Sequence, residues 1–194
     1  MHITRVSFTK QALKEWAIAV HALTQGRTIM LLRKGGIREQ HRSFQVPYNK
    51  VILYPTYEHQ KTHLLKVEYS NQVQSTPSGW HPTKVHILSW AKITDILPLQ
   101  NTHLIEKLLP HHIWTEEFVK ERCQWKPNQP LNILLLQVYR LPKPQTIPFH
   151  QSYRGCRSWF ELQQEISLDG LIPVLGEQEY KEKVNLIKKV IEIS

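Results

Sequence analysis

Apolar side chains at Leu13, Trp16, Ala17, Val20 and Leu23 fall at the i, i+3, i+4, i+7 spacing of a helix with one buried stripe. This predicts a helix over residues 11–25, ended by Gly26. Residues 28–33, Thr-Ile-Met-Leu-Leu-Arg, form a short apolar run before Gly35-Gly36 and predict a buried strand entering a turn. Two short strands are expected over 43–47 and 50–54, around Pro47-Tyr48-Asn49, and a third over 64–69. Residues 70–83 are rich in Ser, Asn, Gln, Thr and Pro and read as a polar loop, after which 85–96 resumes a strand pattern with Val85, Ile87 and Ile93 inward.

Helical patterns return over 102–109 and 115–123, the second capped by Thr115 with Glu116 and Glu117 at its positive end. Residues 131–141 are apolar on both faces for most of their length and predict the central strand, followed by an extended stretch through Pro142, Pro144 and Pro148. A further helix is expected over 158–166. The last segment sets Tyr180, Val184, Ile187 and Ile191 on one helical face. The order predicts one α+β domain over 1–175, a mixed sheet with flanking helices, and an amphipathic helix over 176–194 suited to packing or self-association.

Charge changes the picture more than composition does. The chain carries 25 Lys plus Arg against 16 Asp plus Glu, a formal +9. Residues 1–97 hold 13 basic and 5 acidic side chains, whereas 98–194 hold 12 and 11, so the excess lies in the first half. That asymmetry favours a nucleic acid, a nucleotide or an anionic surface as partner. Two cysteines make no disulfide framework, and neither a secretory leader nor a run of membrane-spanning length is present, so a cytoplasmic protein without membrane attachment is expected.

The most distinctive chemistry is Arg33-Lys34-Gly35-Gly36, two cations at a strand end followed by glycines that let backbone N–H groups converge on an anion. The competing reading is a hairpin turn with solvated cations. Thr56, His59 and Gln60 follow a strand end within Tyr54-Pro55-Thr56-Tyr57-Glu58-His59-Gln60, as base-edge contacts or simply as a capped turn. Arg122 with Trp125, and Arg157 with Trp159, pair a guanidinium with an aromatic plane, the combination that holds unstacked bases. The spacing of the eleven histidines and two cysteines supports no metal site, and no cofactor fingerprint is present. Asp169 with Glu179-Tyr180-Lys181 matches the letters of a nuclease motif but sits on the terminal helix rather than a sheet.

Taken together, Ala12-Leu13-Lys14-Glu15-Trp16, Arg33-Lys34-Gly35-Gly36-Ile37, Leu53-Tyr54-Pro55-Thr56 with His59-Gln60, and Gly155-Cys156-Arg157-Ser158-Trp159 resemble the domain of unknown function 1802 family. The resemblance covers about residues 11–165. It implies membership of an uncharacterised, largely bacterial and notably cyanobacterial family, and a restriction-modification context. A more distant likeness is to the ASCH and PUA-like small barrels, carried by Gly26 and an Arg seven residues later, Arg33. Thr28 and Leu31 stand where that pattern has Lys and Glu, so the likeness implies a twisted β-barrel with a base- or RNA-binding groove rather than its catalysis.

Three functions follow as expectations. The first is a nucleic-acid-binding module with phosphate on Arg33, Lys34, Gly35 and Gly36, and a stacked or extruded base at Thr56, His59, Gln60, Arg122, Trp125, Arg157 and Trp159. The second is a hydrolase of a nucleotide or modified base, with Glu58 or His59 as general base and Arg33 stabilising an oxyanion. The third is a protein-interaction module with a basic face.

Overall fold

The computed structural model describes residues 7–34, 45–155 and 157–192, so Gly35, Gly36 and Cys156 lie outside the described residues. Strand β1 (Phe8–Trp16) leads directly into helix α1 (Ala17–Thr24), followed by β2 (Met30–Arg33) and β3 (Lys50–Thr56). A short helix α2 (Val67–Ser70) precedes the long β4 (Lys84–Leu99). Helices α3 (Thr102–Lys107) and α4 (Glu116–Gln124), strands β5 (Leu131–Pro148), β6 (Trp159–Ser167) and β7 (Ile172–Pro173), and helix α5 (Glu177–Glu192) complete the chain.

The seven strands form one mixed sheet in the order β2-β5-β4-β3-β1-β6, with β7 on β5. Only β1 and β3 run parallel; the other pairs are antiparallel. The fold is thus α+β, a mixed sheet with flanking helices. The antiparallel β4–β5 pair dominates it, and its register slips between Ile87 and Ser89 and again between Ile93 and Asp95. Such bulges bend and twist a ladder, which lets long strands wrap instead of lying flat.

Alternation along the strands builds two cores. Leu13, Leu53, Ala91 and Val138 face a large cluster shared with α1, α4 and α5, while Ala12, Ile52, Trp90 and Phe160 face a smaller one with Tyr54 and Tyr153 at its centre. On α5, Tyr180, Val184 and Ile187 seal the large cluster, as their helical spacing predicts. The same helix is pinned from outside by Lys188, whose Nζ lies 2.5 Å from Asp95 Oδ1, and by a 2.6 Å hydrogen bond between the Tyr180 and Thr94 hydroxyls.

Three predicted elements are corrected. Residues 11–16 are strand, and the expected helix begins only at Ala17. Strand β1 is paired on both edges and buried on both faces, Ala12 and Leu13 both at 0% exposure, so it shows no apolar-polar alternation and its apolar spacing mimics a helix. Residues 64–69 are not a strand: they make one isolated bridge, Leu65 to Trp114, and then turn helical with Val67 exposed. Residues 158–166 are strand β6 rather than helix, with Phe160, Leu162 and Ile166 inward at period two; sheet pairing to β1 overrides the helix propensity of the Glu and Gln between them. The strand expected over 43–47 falls partly outside the described residues, and 45–47 are irregular.

Candidate functional site

A small cleft of about 30 Å³ lies where the end of β1, the end of β2 and helix α4 meet. Strand β1 contributes Glu15 and Trp16; β2 contributes Leu32, Arg33 and, just after it, Lys34; Trp114, Phe118 and Arg122 come from α4 and the turn before it. Phe118 and Arg122 are four apart on one helix, so they share a face. Thr115 sets that face by capping α4, its Oγ1 accepting from the Phe118 N–H at 3.4 Å.

Arg33 closes the sheet on itself. It stands on β2, at one end of the strand order, and reaches β1 near the other: Nη2 donates to the Lys14 carbonyl at 2.6 Å and lies 3.4 Å from Glu15 Oε2. Side-chain exposures of 17% for Arg33 and 9% for Glu15 make this a largely desolvated pair. The other Glu15 oxygen accepts from the Trp16 N–H at 2.8 Å. Arg33 Nε is buried and has no hydrogen-bond partner among the described residues.

Arg122 stacks over the Phe118 ring, 4.9 Å from its centroid. Burial lowers its pKa, Glu15 opposes that shift and Arg33 adds to it. The aromatic wall is continuous: Trp114 stacks on Phe118 at 5.0 Å and 14°, and Trp16 meets Phe118 edge-on at 6.0 Å. Lys34 is the third cation of the cleft, but its Nζ donates to the carbonyls of Arg122 and Cys123 at 2.9 and 3.0 Å, so it holds the C-terminal turn of α4. Burial lowers its pKa as well. Three cations against one carboxylate leave the lining net positive.

Of the residues singled out in the sequence, Arg33, Lys34 and Arg122 come together here. The aromatic partner of Arg122 is Phe118 rather than Trp125, which follows α4, is 36% exposed and carries the Lys126 ammonium 4.7 Å from its ring. Thr56 pairs with Trp16 in the β1–β3 register, at the rim of the same strand ends. Gln60 is engaged structurally: its Oε1 accepts from the Ile18 N–H at 3.0 Å in the first turn of α1. His59 is exposed in a left-handed conformation, φ 61°. Arg157 donates to the Ser152 carbonyl at 3.3 Å, and Trp159 is half-buried against the large core, opposite Leu13. Gly35 and Gly36 lie outside the described residues.

Neither Glu58 nor His59 lines the cleft; its one carboxylate is Glu15. Glu15, Trp16, Trp114 and Phe118 were not foreseen as site residues, and of these only Phe118 left a signal, its position four before Arg122. A second group, exposed His63, Glu117 and Glu121, brings one ligand atom from each residue within 4.8 Å of the others on the outer side of α4. Lys61 sits 3.9 Å from Glu121 there and competes for its charge. Among the described residues no helix is long and apolar enough to cross a membrane.

The chain is similar to solved structures of the ASCH protein from Zymomonas mobilis. The wild-type structure gives 14% identity and a TM-score of 0.44, covering 92% of this chain and 95% of that one. A mutant form gives 14% and 0.45, covering 92% and 96%. No curated protein matches the chain. The sequence profile of "Domain of unknown function (DUF1802)" matches residues 12–185, from the middle of β1 into α5, and the chain belongs to that family.

Proposed function

We propose that the protein is a nucleic-acid-binding module and that the mouth of the cleft between β1, β2 and α4 takes a phosphate against Arg33 and Arg122, with a base against the half-buried Trp16 at its rim. The observation that carries this reading is that two guanidiniums, Arg33 and Arg122, line one cleft beside Trp16, with Arg122 stacked on Phe118. Guanidiniums are weakly hydrated and match phosphate with a planar fork, so they tolerate partial burial better than ammonium groups do. An anion in the cleft would also give Arg33 Nε an acceptor, replacing a buried donor without one. Lys34 adds field rather than contact, since its protons are directed at the α4 carbonyls.

Binding is favoured over hydrolysis by the state of Glu15. Both of its oxygens are engaged, one by the Trp16 N–H and one by Arg33, which suits a positioning role and leaves no free general base in the lining. Fluorescence anisotropy with labelled single-stranded RNA, single-stranded DNA and duplex DNA, at low and physiological salt, tests the reading. Arg122→Gln removes a charge-assisted fork contributing about 1.5–3 kcal/mol, so affinity should fall roughly 10- to 100-fold. Unchanged affinity in that variant, or no salt-sensitive binding by the wild type, overturns the proposal.

A further inference from the structure

We infer that the bound nucleic acid is a single strand and that it takes a second stacking contact outside the cleft, on Trp80; this rests on the binding function proposed above. Trp80 belongs to the polar loop between α2 and β4, yet it is 42% exposed in a loop whose backbone is held from several sides. The Trp80 N–H donates to the Pro77 carbonyl at 3.1 Å, and Thr76 Oγ1 donates to the Tyr57 carbonyl at 3.0 Å. On the other flank His81 stacks on Phe149 at 3.6 Å and 9°, and the Phe149 N–H donates to the Thr83 carbonyl at 2.9 Å. An exposed large aromatic on a fixed backbone offers contact area with little ordering cost.

The ring is also free where it matters. Tyr57 meets Trp80 edge to face, 5.8 Å between centroids at 89°, an arrangement that occupies one ring face at most. Arg154 donates to the Gly79 carbonyl at 3.3 Å, which parks an exposed guanidinium beside the residue preceding Trp80. Across residues 56–60, 76–84 and 149–155 plus 157, which make up this surface, the cations are Lys84, Arg154 and Arg157 and the one carboxylate is Glu58. A positive rim around an exposed indole complements a polyanion that carries planar groups.

Register joins this surface to the cleft. Trp16 lines the cleft and pairs with Thr56, and Tyr57, the neighbour of Trp80, comes next in the chain. Strand spacing then puts the indole within roughly 20 Å of the cleft wall, a distance a few nucleotides cover. A duplex keeps its base faces stacked internally and cannot serve both platforms, whereas a single strand has a free face at every base.

The test measures anisotropy of a labelled mononucleotide and of a labelled single strand of about ten nucleotides, with duplex of the same sequence as competitor, on wild type, Trp80→Ala, Trp80→Phe and Arg122→Gln. Trp80→Ala should weaken the long strand by roughly 5- to 100-fold and leave the mononucleotide unchanged, with Trp80→Phe restoring part of the loss. Arg122→Gln should weaken both. If Trp80→Ala binds the long strand like wild type while Arg122→Gln does not, the second platform is wrong and the cleft reading stands. If Trp80→Ala alone weakens binding, the cleft reading fails and the platform survives it. Duplex competing as well as single strand, or Trp80-dependent capture of a proline-rich peptide instead of the oligonucleotide, overturns the inference.

Discussion

Replacing Arg33 by Met keeps an unbranched apolar stem and removes the guanidinium that joins β2 to β1. Glu15, at 9% side-chain exposure, is then left with a single donor, the Trp16 N–H, and the Lys14 carbonyl loses its 2.6 Å bond. Breaking a fully buried ion pair from one side costs about 3–5 kcal/mol, because the remaining charge is stranded. Arg33 is 17% exposed and water can reach the gap, so about 2–3 kcal/mol is expected, or a fall of roughly 5–10 °C in Tm for a chain of this size. Glu15→Gln should cost less, about 1 kcal/mol, since Arg33 keeps its bond to Lys14. The double variant should be more stable than Arg33→Met alone, with a coupling of about 1–2 kcal/mol. Urea unfolding at pH 7 followed by far-UV circular dichroism measures all four corners of the cycle. An Arg33→Met variant within about 0.5 kcal/mol of wild type, or strictly additive costs, would refute the closure of the sheet by this pair. It also follows that Arg33 is a poor probe of ligand binding, and Arg122, whose loss leaves the β1–β2 bridge intact, is the better one.

Two further predictions concern the scaffold. His112 is 3% exposed, its Nδ1 accepts from the Trp114 N–H at 3.3 Å, and burial followed by the nearby Lys66 and His111 holds its pKa down at about 3. The native ring therefore stays neutral while the unfolded ring protonates near 6.5, so the stabilisation is complete above that value and is lost as pH falls, by about 2 kcal/mol between pH 7 and pH 5. His112→Asn, which keeps an acceptor for Trp114 and does not titrate, should flatten the urea-derived stability over that interval; parallel curves for the two proteins would sink the assignment. Gly26 has φ +70°, and a Cβ there would meet Leu175 Cδ2 at 2.7 Å, so Gly26→Ala should cost about 1–3 kcal/mol in thermal unfolding, with no loss meaning that Leu175 simply swings aside.

The parts of the fold legible in the sequence are the helices with one buried face and the long apolar run of β5. Helix α4 declares itself through the Thr115 cap and the acidic first turn, and α5 through Tyr180, Val184 and Ile187 against a charged outer face. Strand β5 is apolar over Ile133–Leu136 because it lies between β2 and β4 with both faces covered. The same two-sided burial hid β1, where Ala12 and Leu13 point to different cores and leave no period to read. Part of the cleft was lost with it, for Glu15 and Trp16 become site residues only because β1 ends beside β2 and α4. Arg33, Lys34 and Arg122 were legible as cations near strand and helix ends; that Lys34 would turn inward onto the α4 carbonyls is a tertiary fact with no local signature.

That last point limits what net charge says about binding. The formal +8 of the first half, 13 basic less 5 acidic residues, suggests a broad anionic footprint. Yet Lys14 donates to the carbonyls of Tyr153 and Gly155, Lys34 to those of Arg122 and Cys123, Lys66 to that of Leu109, and Arg33 to that of Lys14. These groups keep their charge and raise the local potential, but their protons already face backbone oxygen, so they release few counterions from a bound strand. Arg154 and Arg157 also donate to carbonyls, of Gly79 and Ser152, but they are exposed and each guanidinium has further donors, so direct phosphate contacts fall to them with Arg122 and Lys84, and Arg33 Nε is an inner donor. With about two to four phosphates neutralised on a single strand, log K should fall against log salt with a slope between about −1.4 and −2.8. A titration of binding across salt concentrations settles this directly: a slope of −5 or steeper, as eight contacting cations would give at about 0.7 each, would mean that the carbonyl-bound lysines let go and bind phosphate, and that the cleft geometry described for the free protein is not the geometry that binds.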